Sequence, residues 1–109
     1  MFGCVSITTN VTGVPYLRTS GVTVGTESVD FALGFRRIPA IGYLTINIAD
    51  AIPEGTTGTL PVRFTLNGNT RVLTSFGGTS VTAADITSTG IIEVFYDWYN
   101  GVLQLVSAI

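Results

Sequence analysis

The residues able to do chemistry in this 109-residue chain are few and far apart. It contains no His and no Lys, so no side chain of those types serves as a general base near neutral pH. A Ser or Cys nucleophile therefore lacks the partner that would activate it. Cys4 stands alone, which excludes an intrachain disulfide and a Cys/His zinc site. It is expected to be buried as a small apolar side chain. The carboxylates Asp30, Asp50, Glu54, Asp85, Glu93 and Asp97 are scattered singly. No D-x-D-x-D-G spacing marks a calcium loop, and no adjacent acids suggest a glycosidase pair. Gly77-Gly78 is followed by neither a Lys nor a helix signal, so it reads as a turn rather than a phosphate cradle. The expectation is a protein that is not an enzyme, with no catalytic residue, metal or cofactor.

What remains is chemistry of contact. Arg36-Arg37 is the one pair of adjacent like charges, and Arg forks suit interfaces with acidic partners. Tyr96, Trp98 and Tyr99 form an aromatic cluster beside a turn. Trp98 is expected inside; Tyr99, on the mixed face, is the better surface contact. Arg36, Arg37 and Tyr99 are thus the candidate interface residues. Charged residues make up only 11% of the chain, less than half the usual share of about a quarter. The formal charge is −2 and no basic stripe exists, which argues against nucleic acid as partner. No apolar run of about 18 residues predicts a membrane helix. The first ten residues lack the basic and apolar regions of a signal peptide. Seventeen Thr residues give a polar, β-branched surface poor in charge, and a surface of that kind is expected to be covered by copies or partners.

The elements that must carry these residues are strands. Residues 91–107, IIEVFYDWYNGVLQLVS, hold Asn100-Gly101 between two apolar runs, a strong hairpin signal. A two-residue turn pairs Tyr96 with Leu105 and Asp97 with Gln104. It sets Ile92, Val94, Tyr96 and Trp98 on one face with Leu103 and Leu105. Residues 27–35 and 41–49 alternate as two more strands, through Val29, Phe31 and Leu33, then Leu44, Ile46 and Ile48. Residues 50–59 are loop. Residues 60–66 and 71–76 flank Asn67-Gly68-Asn69, and a three-residue turn pairing Phe64 with Val72 is preferred over a two-residue turn pairing Phe64 with Arg71. Pro61 marks a strand entrance or an edge. Residues 82–86 allow one helical turn, with Thr82 as cap. Residues 1–27 read as an N-terminal arm with short strands, part of the domain formed by residues 28–109 or docked on it. The fold class is all-β: a single-domain antiparallel sandwich or small barrel built from hairpins.

From Leu60 to Val106 the cadence T-A-A-D-I … G … V-F-Y-D … L-Q-L resembles β-modules of tailed-phage fibre and capsid-decoration proteins. The section with Phe35-Arg36-Arg37-Ile38-Pro39, Ala51-Ile52-Pro53 and Asn67-Gly68-Asn69 is similar to small virion proteins of crAss-like phages. The resemblance covers about two-thirds of the chain and leaves residues 1–27 outside. It implies an auxiliary or decoration protein in the virion, assembled in the host cytoplasm, bound to the major capsid protein or other virion proteins. A homo-oligomer, first of all a trimer, is the expected form. The alternative is a head or tail fibre module that binds a host-surface glycan or another fibre protein.

Overall fold

The computed structural model describes residues 15–34, 38–86, 88–97 and 99–106. Cys4, Arg36, Arg37 and Trp98 lie outside the described residues, as does the short strand expected near Val5–Val11. The described chain forms eight strands and one 3₁₀ turn at Ala83–Asp85. The strands are β1 (Tyr16–Arg18), β2 (Gly21–Val24), β3 (Val29–Ala32), β4 (Ile41–Ile48), β5 (Val62–Leu66), β6 (Asn69–Val72), β7 (Gly90–Asp97) and β8 (Val102–Leu105). They make two four-stranded sheets, ordered β1-β4-β7-β8 and β2-β3-β5-β6. The all-β class expected from the sequence holds.

Among the described residues neither sheet has a helix to cover it, and each covers the other. Alternation supplies the shared core. Leu44, Ile46, Ile48, Val94, Tyr96, Leu103 and Leu105 face inward from the first sheet; Val29, Phe31, Val62, Phe64 and Leu66 face them from the second. The rings of Phe31 and Phe64 stack at 5.2 Å between centroids, 19° from parallel. At one rim the inward place opposite Phe64 is taken by Arg71, whose stem lies against Gly101 and whose charge reaches Tyr96.

Both pairs of sheet edges are tied together. On one side the chain turns from β1 into β2, with Thr19 N–H bonded to Asn47 O and Ser20 N–H to Ala32 O. The Thr19 hydroxyl locks this corner by donating to Asp50 and accepting from Ala49 N–H. On the other side Thr74 bridges to β8: its N–H donates to Leu103 O and its C=O accepts from Leu105 N–H, both at 2.9 Å. The result is a sandwich closed towards a flattened barrel, which limits bare edges.

Three expectations are corrected. The sheets are mixed rather than purely antiparallel, because β1 pairs β4 and β3 pairs β5 in parallel. The chain crosses between the sheets at β1–β2, β3–β4, β4–β5 and β6–β7, and a strand reached by way of the other sheet can return in the starting direction. The β5–β6 hairpin uses the two-residue turn, with Phe64 opposite Arg71. Asn67 and Gly68 both have positive φ, 53° and 82°, as a type I′ turn demands. The last hairpin is shifted by two residues, pairing Tyr96 with Leu103 and Asp97 with Val102. Asp97 causes the longer loop. Its carboxylate accepts from Tyr99 N–H, Asn100 N–H and Asn100 Nδ2 at 3.1, 3.3 and 2.7 Å. A slip of two leaves every face unchanged, so the expected inner set of Ile92, Val94, Tyr96, Leu103 and Leu105 stands.

The short helical turn falls where expected. Asp85 accepts from Thr82 N–H and Oγ1, and its own N–H donates to Thr82 O. Residues 16–24, assigned to an arm, supply one edge strand to each sheet.

Two substitutions test this arrangement by urea denaturation. Phe64→Ala opens the centre of the core and is expected to cost about 3–5 kcal/mol. Gly68→Ala forces a left-handed residue to carry a Cβ and is expected to cost about 1–2 kcal/mol.

Candidate interaction face

Because Leu44, Ile46 and Ile48 of β4 point inward, Ile41, Tyr43, Thr45 and Asn47 take the outer side, where Thr45 itself is buried. The β4–β7 register sets these beside Asp97, Phe95, Glu93 and Ile91, in that order. Tyr43 and Phe95 meet edge to face, 5.7 Å between centroids and 73° between planes. β1 adds Tyr16 and Arg18, in register with Thr45 and Asn47, and Asn47 Nδ2 donates to the Tyr16 hydroxyl at 2.8 Å. β8 adds Val102 and Gln104. Much of this apolar surface faces solvent: Ile41 is 51% exposed, Tyr43 58% and Ile91 64%.

The outer face of the second sheet is built differently. Thr23, Asp30, Arg63 and Val72 form one row across it; Gly21, Ala32, Thr65 and Thr70 form the next. Arg63 grips Asp30 with both prongs of its fork, Nε at 2.7 Å and Nη2 at 2.9 Å. Ser28 also donates to Asp30, and the Thr65 and Thr70 hydroxyls share a hydrogen bond. The Arg63 hydrogen bonds hold the Asp30 carboxyl below its ordinary pKa, against the opposing effect of partial burial. The same contact raises the Arg63 guanidinium above its own. This face is satisfied by its own side chains.

Two concave places flank the sandwich. Tyr99, 78% exposed on the last turn, borders a cleft of about 310 Å³ with Ile38, Pro39, Ala40, Asn67 and Tyr96. The buried Tyr96 hydroxyl is pushed above its usual pKa by burial, partly offset by the charge of Arg71. A second cleft, about 400 Å³, opens along the seam where β6 and β8 part beyond Thr74. Beside it the 75–79 turn is held by Ser75 N–H to Thr79 O and Gly78 N–H to Ser75 O, while Gln104 Nε2 donates to Phe76 O. That turn presents Phe76 at 66% exposure.

Of the three residues singled out from the sequence, Tyr99 is described, at the rim of the first cleft; Arg36 and Arg37 are not among the described residues. The structure adds Tyr43, Phe95, Ile41 and Ile91, which sequence reasoning passed over. Half of the signal was legible, since Ile41 and Tyr43 occupy the outward positions of an alternating strand. The other half, the register that sets Tyr43 against Phe95, is a property of the fold. Among the described residues no three His, Cys, Asp or Glu side chains lie close enough to hold a metal ion. Nor is any helix among them long and apolar enough to cross a membrane. No known protein family, curated protein or solved structure matches this chain.

The Asp30–Arg63 pair sets a pH dependence. The folded pKa of Asp30 lies below its unfolded value, so its stabilisation is complete above that value, about 3.9. It is lost as pH falls through the folded pKa. The pair is part-exposed, so its worth is expected to be at most about 1 kcal/mol. The urea midpoint of the wild type should therefore exceed that of Asp30→Asn at pH 7, with the gap narrowing as pH falls below the ordinary carboxylate range and Asp30 takes up its proton.

Proposed function

We propose that this chain is a structural subunit of a tailed-phage particle, an auxiliary or decoration protein that docks on the capsid and strengthens the shell. The observation that carries this reading is the contrast between the two outer faces. One is closed by its own ion pair and hydroxyl bonds. The other leaves Ile41, Tyr43 and Ile91 more than half exposed around an aromatic pair. A patch of that kind on a small domain marks a surface that works by being covered. The phage setting comes from the sequence resemblance from Leu60 to Val106. The absence of His and Lys from the chain agrees with a role in which contact, not turnover, is the product. Repetition on a symmetric shell multiplies contacts that are individually weak.

Incorporation into particles tests the reading. Virions should carry the protein in fixed stoichiometry, and virions without it should lose tolerance to heat and pressure. Tyr43→Ser together with Ile91→Ser should leave the chain folded, at a cost by urea denaturation of at most about 2 kcal/mol, the Tyr43–Phe95 contact included. The same pair should reduce particle-bound copies at least tenfold. Unchanged copy number would refute docking through this face.

A second reading, a fibre module that binds host-surface glycan, is favoured by one feature: the exposed Tyr99 ring beside Asn67 and Pro39 in the end cleft. Under it, Tyr99→Ala lowers adsorption to host cells and abolishes signal on a glycan array. Under the first reading neither changes.

A further inference from the structure

The aromatic face has a distribution of charge that points to its occupant. Across the outer surface, the half formed by β1 and β4 holds Tyr16, Arg18, Ile41, Tyr43, Thr45 and Asn47, with Arg18 its one charge. The half formed by β7 and β8 holds Glu93 and Asp97 among Ile91, Phe95, Val102 and Gln104, with no cation. Arg18 and Glu93 stand on strands two places apart and two residues out of register, about 12 Å, and no ion pair joins them within the copy.

We propose that this face closes on the same face of a second copy, about a two-fold axis lying between β4 and β7. This rests on the reading of the face as a surface that works by being covered, and names a second copy as its cover in the free protein, one that docking on a particle displaces. Such an axis lays β4 over β7 of the second copy and β1 over β8. It sets the positive half of each copy on the negative half of the other, as an isologous contact requires. Tyr43 of each copy then lies over Phe95 of the other, which gathers four rings at the centre, where binding energy concentrates. The second copy's Glu93 lies one strand nearer Arg18 than the copy's own Glu93 does, within reach of a guanidinium across two packed sheets.

The area fits a reversible contact. The strands of this sheet offer about 350 Å² each copy in projection. Allowing for side-chain relief, closure removes roughly 1,000 Å² in total, at the lower bound of specific interfaces. The expected dissociation constant is therefore roughly micromolar at ordinary salt.

Sedimentation equilibrium of the full chain from about 1 µM to 1 mM tests this, with the urea midpoint confirming that each variant is folded. The wild type is expected to pass from monomer to dimer, and more weakly as NaCl is raised. Arg18→Glu and Glu93→Arg should each weaken the dimer about tenfold or more, and combining them should restore it to within about threefold. Tyr43→Ser should leave a monomer. A wild type that stays monomeric to 1 mM, sediments as a trimer, or shows no recovery in the double exchange overturns the pairing. The two readings separate in the same set of proteins. A monomeric wild type whose Tyr43→Ser, Ile91→Ser variant is lost from particles overturns self-pairing and upholds docking. A dimer that follows the exchange pattern but never enters particles supports the pairing and overturns docking.

Discussion

Everything in this protein depends on two sheets hiding one another. With a single 3₁₀ turn as its helical content among the described residues, the chain has only strands to bury its apolar side chains against. The inward rows of β4, β7 and β8 meet those of β3 and β5 around the Phe31–Phe64 stack. Removing apolar area from water drives that closure, at roughly 25 cal/mol for each Å². Once each sheet has used one face in this way, it has one face left, and the chemistry of those remaining faces decides how the molecule meets its surroundings.

The faces answer differently. On β2-β3-β5-β6, threonines and the Asp30–Arg63 fork spend their hydrogen bonds on each other, so the surface is content with water. On β1-β4-β7-β8, positions that could have been polar hold Ile41, Tyr43, Phe95 and Ile91. A solvated antiparallel face normally reads apolar-in, polar-out. On the second sheet the departure is the single Val72; on this one it gathers these four side chains, and it is here that charge is also divided, cation on one flank and carboxylates on the other. A working surface that is apolar at its centre and polar at its rim has the anatomy of a protein contact.

The edges show the opposite policy. Open strand edges invite unplanned pairing, and the chain joins the two sheets at one point on each side: by the Thr19–Ser20 corner, where β1 runs into β2, and by the Thr74 bridge to β8. The Thr19 hydroxyl, shared between Asp50 and Ala49, and the three bonds accepted by Asp97 turn polar side chains into local clamps.

Alternation by itself determined strands β3, β4, β5, β7 and β8, and which of their residues point inward; β1 and β2, in a stretch of weak alternation, and the bounds of β6 it did not. Val29, Phe31 and Leu33, or Leu44, Ile46 and Ile48, have no other good arrangement, because successive side chains leave a strand on opposite sides. The composition likewise fixed which side chains are missing, since an absent imidazole is absent in any fold. Pairing was another matter. A period of two says which face a residue takes but not which strand lies beside it, and a slip of two residues costs the pattern nothing. Phe64 against Arg71, the shift carried by Asp97, and the parallel partners of β1 and β3 were decided by turn chemistry and by crossovers between sheets. So was the contact of Tyr43 with Phe95, residues 52 positions apart that only the closed register of β4 on β7 makes neighbours.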